Sequence, residues 1–501
     1  MDSISFLLSG FETALTLHNL LYCLIGVTIG MLVGVLPGLG PSAGTAVLIP
    51  LTYAMEPISA IVMLSGIYYG AMYGGTITSV LINTPGEASS VITCLDGHPM
   101  AKQGRAGTAL GISAIGSFIG GTFAIVGLVL VGPPLANMAL KFGPPEFFAL
   151  MLLGMTMVIG LIGKSVLKGS IAAVIGLILA LVGQEPVTGI PRFSFGQPYL
   201  MEGFDFVVIA MGLFGLSEIL SSAEQTLKAE KPPKVKGLLP SRGEWNPSLK
   251  SIGRGTVLGF LIGLIPGTNS VIPPILSYSM EKRVAKDPSR FGKGAIEGVA
   301  GPETANNSFC GGALIPLFTL GIPSSPTIAI LLGAFIMHGL TPGPTLFKDN
   351  PDFVWGVIAS MFIGNLLLLI MNLPLAGVWA KITLVPFKLL FPIILMVLIA
   401  GTYTINNSLW DVGTMLVFGL IGYVFKKVDI PIAPIVLTFV LGSMMENALM
   451  QSLTIFQGDF MALFTRPLSG TLLVISIVII FVSVFAGFRN KKELFAGDID
   501  M

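Results

Sequence analysis

The segment "LSGTLLVISIVIIFVSVFAGF", residues 468–488, contains no charged side chain and is long enough to cross the hydrocarbon core of a bilayer as one helix. It is the cleanest of about a dozen apolar windows, each roughly 17 to 25 residues long, that recur along the chain. Backbone N–H and C=O groups must be paired inside a membrane, and windows of this length satisfy that requirement as helices. The sequence therefore predicts an all-α polytopic membrane protein.

The composition supports this class. Charged side chains make up 11% of the 501 residues and hydrophobic ones 53%, whereas soluble domains carry about 25% charged residues. The formal net charge of +1 gives no reason to expect a nucleic-acid partner. The residues that could form a metal, haem or nucleophile site are scattered: Cys23, Cys94, Cys310, His18, His98 and His338. We therefore expect neither an enzyme nor a bound cofactor.

One long polar segment divides the chain. Residues 222–254 hold seven Lys or Arg against three acidic residues, and basic loops of membrane proteins tend to stay in the cytoplasm. The N-terminus has no basic stretch or cleavage site of a signal peptide, so we expect the first apolar run to be retained. We expect a first transmembrane half at 1–221, a cytoplasmic basic linker at 222–250, a second half at 251–488 and a basic cytoplasmic tail at 489–501.

Two pairs of motifs recur in the same order, one pair in each half. "GVLPG" at 34–38 precedes "YGGTITSVLINTPGE" at 73–87, and "GLIPG" at 263–267 precedes "CGGALIPLFTLGIPSS" at 310–325. Each motif places Pro and Gly inside an apolar run, where a helix would otherwise continue. The matched order predicts an internal duplication with two pseudo-symmetric repeats.

Matched interruptions of membrane helices point to a transport site, because a broken helix persists only where protein or a water-filled cavity satisfies its backbone. The alternative is that Pro and Gly only kink packed helices. Charge placement adds the sign of the substrate: Glu56 is the only charged residue from 13 to 86, and none occurs from 304 to 347. Helix N-termini and small polar side chains can hold an anion there without a buried base. We therefore expect an anionic substrate.

The segment "EGVAGPETANNSFCGG", residues 297–312, is the richest polar cluster. Helical spacing puts Glu303 on one face with Asn306 and Asn307, and amides can both donate and accept hydrogen bonds. An ionisable residue at membrane depth is a functional candidate, so Glu303 could hold a coupling cation. The alternative is a carboxylate at the start of a helix on the membrane surface.

These arguments predict two sets of site residues. The substrate set comprises polar and small residues at the interruptions and on the Asn motif: Ser42, Thr45, Asn83, Thr84, Gly86, Thr268, Asn269, Ser270, Asn306, Asn307, Pro323 and Ser324. The cation set combines Glu303 with residues of the two unwound turns: Gly38, Gly40, Pro41 and Gly267. No metal is expected beyond Na⁺.

Five long motifs resemble the large membrane subunit of the tripartite tricarboxylate transporters. They are "GVLPGLGP", "YYGAMYGGTITSVLINTPGEASSVIT", "DGHPMAKQGRAGTALGISAIGSF", "GLIPGTNS" and "KGAIEGVAGPETANNSFCGGALIPLFTLGIPSS". The resemblance implies a bacterial inner-membrane carrier, driven by an ion gradient that is usually Na⁺, with two inverted repeats and an elevator-like displacement. It also implies three partners: a small four-helix membrane subunit, a periplasmic binding protein and an organic carboxylate such as citrate.

Two motifs depart from the pattern of that family. Members often read "PGAGP" and "APEAANNAAAGG" where this chain has "PGTNS" at 266–270 and "GPETANNSFCGG" at 301–312. The additional hydroxyl and amide groups predict a more polar pocket, so the substrate expectation is limited to small organic anions with carboxylates. On the residues alone, a passive anion channel or a membrane scaffold stays an alternative.

Overall fold

The computed structural model describes residues 3–36, 38–161, 165–185, 188–224, 233, 235–383, 385 and 387–497. These residues form helices almost throughout, with one antiparallel pair of two-residue strands, β1 (Gly183–Gln184) and β2 (Pro191–Arg192). The prediction of an all-α protein is therefore confirmed for the described part of the chain.

The first half contains ten α-helices in chain order. They are α1 (Ser3–Ala14), α2 (Leu17–Val35), α3 (Gly40–Thr52), α4 (Pro57–Ile82), α5 (Cys94–Lys102), α6 (Ala106–Ala139), α7 (Pro144–Leu161), α8 (Val166–Ala180), α9 (Phe206–Ala210) and α10 (Ser217–Glu224). A π segment (Met211–Leu216) joins α9 to α10, and 3₁₀ turns lie at Ala88–Val91 and Pro198–Leu200.

The second half contains twelve more. They are α11 (Arg242–Gly263), α12 (Ile272–Val284), α13 (Glu297–Leu320), α14 (Pro326–Met337), α15 (Leu346–Asp349), α16 (Pro351–Asn372), α17 (Ala376–Ile382), α18 (Phe387–Asn406), α19 (Leu409–Lys427), α20 (Ile432–Ile455), α21 (Ala462–Thr465) and α22 (Pro467–Gly497). A 3₁₀ turn lies at Pro288–Arg290.

Eight helical segments among the described residues are long and apolar enough to cross a membrane. They correspond to α2, α4, α6, the α9–α10 unit, α16, α18, α19 and α20. Four shorter apolar helices accompany them: Pro144–Val158, Val166–Ala180, Pro326–Met337 and Pro467–Val482. The chain is therefore a multi-pass membrane protein.

Helices α4 and α13 lie at the centre of the molecule. The apolar window of α4 is 100% buried, and nearly all residues of α13 are buried as well. The two helices run antiparallel, because Thr76 of α4 contacts Glu303 of α13 while Tyr68, two turns earlier, lies beside Cys310. The candidate residues of the Asn motif therefore sit inside the bundle.

A stripe of three glycines lets α2 pack closely along α4. A Cβ atom added at Gly26, Gly30 or Gly34 would lie 2.2–2.4 Å from a backbone oxygen of α4. Helix α11 packs on α13 in the same way, through Gly255, Gly259 and Gly263. Small residues at four-residue spacing are a common basis for close helix contact in membranes.

The linker is shorter than the sequence predicts, since α10 continues to Glu224 and α11 already begins at Arg242. Residues 235–240 lie against the start of α6, where a Cβ atom at Gly107 would be 2.1 Å from the Lys236 carbonyl oxygen. Residues 225–232 and 234 of the linker, and 498–501 of the tail, lie outside the described residues.

Asp96 joins the two halves on the linker side of the molecule. Its buried carboxylate accepts hydrogen bonds from the backbone N–H groups of Gly292 (2.9 Å), Gly294 (2.7 Å) and Ala295 (2.8 Å) and from the Tyr278 hydroxyl (2.9 Å). These four bonds hold the start of α13 against α5, and so fix the position of the Asn motif relative to the first half.

Candidate functional site

Four helices are interrupted, and three contacts bring the interruptions together. The breaks follow α2, α4, α11 and α13. Gly86 in the second break lies against Gly34 at the end of α2, and the Ser324 hydroxyl in the fourth donates to the Gly263 carbonyl at the end of α11 (3.3 Å). Ser42, just after the first break, is hydrogen-bonded to Thr327, just after the fourth (2.8 Å). The breaks therefore form one connected region.

Gly86 allows the closest of these approaches. A Cβ atom at this position would lie 2.0 Å from the Gly34 carbonyl oxygen and 2.7 Å from the Gly75 Cα atom. Real atoms do not approach so closely, and any larger residue would push the second break away from α2 and α4. The structure thus assigns Gly86 a packing role between two interruptions.

The first turns of α3 and α14 meet inside the molecule. Ser42 and Thr327, whose hydroxyl groups share a hydrogen bond, lie in these two turns. No side chain caps the N-terminus of α3, whereas Ser325 accepts a hydrogen bond from the Ile328 N–H of α14. The Thr45 hydroxyl, one turn after Ser42, is fully buried and has no partner among the described residues. Free N–H groups and hydroxyls at two helix N-termini suit an anion.

Pro323, Ser324, Gly40 and Pro41 complete this meeting point. Pro323 and Ser324 are buried in the turn before α14, and Pro41 occupies the first turn of α3 without requiring an N–H partner. Gly40 starts α3 with a φ of +49°, and Gly38 in the same break has a φ of +92°. Of the predicted residues, this group lies nearest to the α3 and α14 N-termini.

The third break closes on itself. The Thr268 hydroxyl donates to the Ile262 and Ile265 carbonyls (3.2 and 2.9 Å), and the Asn269 side-chain oxygen accepts from the Val271 N–H and the Ser270 hydroxyl (3.3 and 3.4 Å). A Cβ atom at Gly267, where φ is +75°, would lie 3.0 Å from the Gly154 carbonyl oxygen of α7. The predicted residues of this break therefore shape the turn and dock it on α7.

Asn83 and Thr84 terminate α4. Asn83 adopts a left-handed conformation (φ +54°) at the end of the helix and is exposed, while the Thr84 hydroxyl donates to the Ile82 carbonyl (3.2 Å). The structure places both side chains away from the α3 and α14 N-termini, in the role of a helix cap.

Glu303 lies at the centre of a buried cluster of hydroxyl groups. Only 1% of Glu303 is exposed, and its carboxylate accepts hydrogen bonds from Thr76 (2.5 Å), Thr93 and Ser113 (3.4 Å). Helix α13 starts six residues earlier, at Glu297, so Glu303 is not a surface carboxylate of the first turn. The structure thus places an ionisable group in the core, where such groups are expensive and functional.

Asn306, Asn307 and Glu87 extend this cluster. The Asn306 amide donates to the Glu87 carboxylate (3.1 Å), and the Asn307 amide donates to the Ser117 hydroxyl (2.8 Å) and the Glu303 carbonyl (3.2 Å). The side-chain oxygens of both Asn residues are buried without a donor among the described residues. Two orphan oxygens beside two carboxylates form a place that a cation would satisfy.

The charges in this cluster are not balanced by basic side chains. Within the described part of the chain, neither Glu87 nor Glu303 forms an ion pair with Lys, Arg or His. Oxygen donors alone, from carboxylates, amides and hydroxyls, suit a hard cation such as Na⁺. The donor set therefore fits the expected coupling ion.

Sequence reasoning did not assign several residues that the structure brings into the site. Glu87 was recognisable as a single carboxylate beside an interrupted apolar helix, which is a signal in itself. The hydroxyl partners carried no such signal, because Ser and Thr are common in membrane helices: Thr76, Thr93, Ser113, Ser117 and Thr327.

Interrupted helices that bring polar groups into the interior of a multi-pass helical protein are typical of secondary transporters. Comparison with known sequences gives the particular family. The model of the "Tripartite tricarboxylate transporter TctA family" matches residues 20–437, and the chain belongs to this family. The resemblance of the five motifs is thereby confirmed, and the family is one of transporters rather than enzymes.

Two similar proteins come from Agrobacterium vitis. The chain is 46% identical over 494 residues, covering 98% of both chains, to the "Uncharacterized 52.8 kDa protein in TAR-I ttuC' 3'region". It is 45% identical over 235 residues, 47% of this chain and 97% of the relative, to the "Uncharacterized protein in TAR-II ttuC' 3'region". No solved structure matches the chain.

Proposed function

We propose that this chain is the large permease subunit of a cation-coupled secondary transporter that imports small organic anions with carboxylates. The observation that carries the proposal is the meeting of the α3 and α14 N-termini at Ser42 and Thr327, beside the unpaired Thr45 hydroxyl. A carboxylate there would accept hydrogen bonds from backbone N–H groups and hydroxyls in place of a buried base.

The cluster around Glu303 would hold the coupling cation. Na⁺ would accept oxygen ligands from Glu303, Asn306 and Asn307, and it would neutralise a carboxylate that otherwise has no basic partner. Glu87 connects this cluster to Gly86, which contacts the end of α2 at the first break. Cation binding would thus order the breaks and raise the affinity for the anion, so that the fully loaded or the empty carrier crosses readily.

Two inverted repeats and an elevator-like movement belong to the same proposal. The glycine stripes before the first and third breaks are offset by the same 229 residues as the "GVLPG" and "GLIPG" motifs, which favours duplication. Helices α4 and α13, which precede the second and fourth breaks, run antiparallel, as equivalent helices of inverted repeats would.

The family implies the partners and the membrane. A tripartite system contains two further components, for which the proposal takes a small four-helix membrane subunit and a periplasmic binding protein. The location would be the bacterial inner membrane, with the basic linker in the cytoplasm. The substrate would be a di- or tricarboxylate, citrate being one candidate.

Uptake into proteoliposomes tests this function. The chain would be reconstituted with its small subunit and binding protein, and uptake of radiolabelled citrate and related carboxylates would be measured with and without an inward Na⁺ gradient. We expect saturable uptake that requires both Na⁺ and the binding protein. Unsaturable flux that is indifferent to the gradient would instead show a passive pore.

A pair of variants links the uptake to the proposed sites. The double variant Asn306→Ala/Asn307→Ala should abolish Na⁺-driven uptake, because it removes both orphan oxygens. Thr45→Val keeps the size of the side chain but removes the unpaired hydroxyl, and should weaken the affinity for the anion. Unchanged uptake in both variants would overturn the site assignment.

A further inference from the structure

A cavity of about 590 Å³ lies outside the interrupted helices, between α8, the π segment, α19 and the start of α20. Its charged lining consists of two lysines and two carboxylates: Lys168, Lys426, Glu218 and Asp429. Its other wall is apolar and is formed mainly by Phe214 and residues 430–433. No contact joins this cavity to the residues of the proposed transport site.

The cavity lies at the end of the helices where the basic linker begins. Glu224, the last residue of α10, is bonded to both Tyr423 and Lys427 of α19, next to Lys426 in the cavity wall. Lys168, in the first turn of α8, donates to the Val428 carbonyl after the end of α19 (2.6 Å). Helix ends of this kind lie where hydrocarbon gives way to lipid headgroups.

The charged groups of the cavity remain available to a ligand. Lys168 has two further N–H donors beyond its bond to Val428. Lys426 and Glu218 form an ion pair in which each side chain is 28% exposed. Asp429 is exposed and has no ion partner among the residues that the structure describes. A simple anion would meet two carboxylates and a simple cation two lysines, whereas a ligand with both charges matches both.

The helices that border the cavity face lipid. Helix α8 exposes one apolar stripe, formed by Leu167, Ile171, Val174 and Ile178, and α19 exposes Val417, Leu420 and Val424. Apolar side chains that point out of a membrane protein contact acyl chains. A ligand with acyl chains could therefore occupy the cavity with its head and the outer surface of these helices with its tail.

We propose that this headgroup cavity binds a zwitterionic phospholipid with a primary ammonium group, of the phosphatidylethanolamine class. The phosphate would accept hydrogen bonds from Lys168 and Lys426, and the ammonium would donate to Glu218 and Asp429. Such a lipid would fill the space between α8 and α19 and connect them on the linker side.

Lipid retention tests the proposal independently of transport. The full chain would be placed in nanodiscs with equal amounts of phosphatidylethanolamine and phosphatidylcholine, transferred to detergent and analysed by native mass spectrometry. We expect phosphatidylethanolamine to be retained about tenfold over phosphatidylcholine, because the quaternary ammonium of the latter cannot donate hydrogen bonds. Equal retention of both lipids would overturn the proposal.

Variants separate the two halves of the headgroup. Lys168→Gln/Lys426→Gln should lower retained phosphatidylethanolamine about tenfold, whereas Lys141→Gln and Lys348→Gln, on exposed lysines elsewhere, should leave it unchanged. Asp429→Asn, at an exposed position that tolerates the change, should keep the phospholipid but reduce the preference for the primary ammonium. Retention by the double variant equal to that of the wild type would contradict the lysine assignment.

Soluble competitors separate a lipid from a free headgroup. Inorganic phosphate and glycerophosphoethanolamine share the polar chemistry but lack acyl chains. We expect neither to displace the retained lipid from the purified chain. Displacement by either compound would overturn the lipid assignment, since it would show that the cavity recognises the headgroup alone.

Discussion

Glu303 combines three hydroxyl donors with two neighbouring amides in a part of the core that offers it no base. Glu303→Gln should raise the Na⁺ concentration needed for half-maximal uptake by about tenfold or more, because it removes the charge that would attract the cation. The amide keeps an oxygen for Thr76 and Thr93, so the fold should survive. Uptake in proteoliposomes over a Na⁺ series measures the effect.

Glu12→Gln is the matched control for this change. Glu12 is exposed on α1, so the same chemical substitution should leave the Na⁺ dependence unchanged. A Glu303→Gln protein with the Na⁺ dependence of the wild type would remove Glu303 from the cation site.

Gly86→Ala tests the contact between two interruptions. Its Cβ atom would collide with the Gly34 carbonyl oxygen at 2.0 Å, so α2 and the second break would have to separate. We expect a loss of about 1–3 kcal/mol in stability, the usual cost of overpacking, together with a strong loss of uptake. The thermal midpoint in detergent and the uptake rate are the two measurements.

Gly413→Ala in α19 is the control, since a Cβ atom there has nothing within 4 Å. This change should leave stability unchanged or slightly higher, as Ala favours the helix. An equal effect of both substitutions would mean that the close approach at Gly86 has no special importance.

At the level of residues, the sequence was informative where chemistry is rare and silent where it is common. A Glu three residues before a pair of Asn in an apolar chain predicts buried polar function, and the structure does bury Glu303, Asn306 and Asn307. Thr93 and Ser113 could not be selected, because only the packing of α5 and α6 against α13 turns ordinary hydroxyls into partners of Glu303.

Among helices, interruptions were predictable but their surroundings were not. Pro and Gly mark where α2 and α11 end, because both residues stop the hydrogen-bond ladder. The glycine stripe of α11 was visible in the sequence at 255, 259 and 263, yet its partner helix is fixed only by the tertiary fold. Hydropathy likewise gives no sign that the last eight residues of the predicted linker belong to α11, because they are polar.

The start of α11 gives a pH-dependent prediction. Glu244 forms a capping box with Ser241 and an ion pair with Arg105. Partial burial opposes ionisation, but the Ser241 hydroxyl and N–H and the Arg105 guanidinium outweigh it and hold the pKa of the Glu244 carboxyl below its ordinary value. A carboxyl with a lowered folded-state pKa stabilises the protein above its unfolded pKa of about 4.3 and loses that contribution as the pH falls.

Glu244→Gln should therefore lower stability by about 1 kcal/mol at pH 7, mostly through the weakened cap, since the partly exposed ion pair adds little. The difference from the wild type should shrink as the pH falls through the lowered folded-state pKa. Thermal midpoints of both proteins over a pH series measure this. A difference that stays constant down to the acid end of the series would show that the charge of Glu244 does not stabilise α11.

For the whole molecule, the side chains on the linker side define one face. Arg105 contacts Glu244 and the Gly294 carbonyl, and Gln103 donates to the Lys293 carbonyl, so three separate segments share that face. The strand pair β1–β2 and the loop after it precede the α9–α10 unit, which is long enough to cross the membrane once before the linker. The loop and the linker should therefore lie on opposite sides.

Single cysteines test this arrangement. Lys293→Cys and Phe195→Cys would be introduced separately, and a membrane-impermeant thiol reagent would be applied to intact spheroplasts and to inverted vesicles. Phe195 is 83% exposed, and Lys293 lies on the exposed linker face. We expect the cysteine at 195 to react only in spheroplasts and that at 293 only in inverted vesicles, because the basic segments stay in the cytoplasm.

The parent chain is the control for this labelling, since Cys23 and Cys310 are buried and Cys94 is only partly exposed. Labelling of both introduced cysteines from the same side would mean that α9 and α10 do not cross the bilayer as one unit. The predicted division into two halves joined by a cytoplasmic linker would then fail as well, because an uncrossed α9–α10 unit would put the linker on the side of the β1–β2 loop. Reaction from opposite sides fixes the orientation against which the direction of anion uptake can be measured.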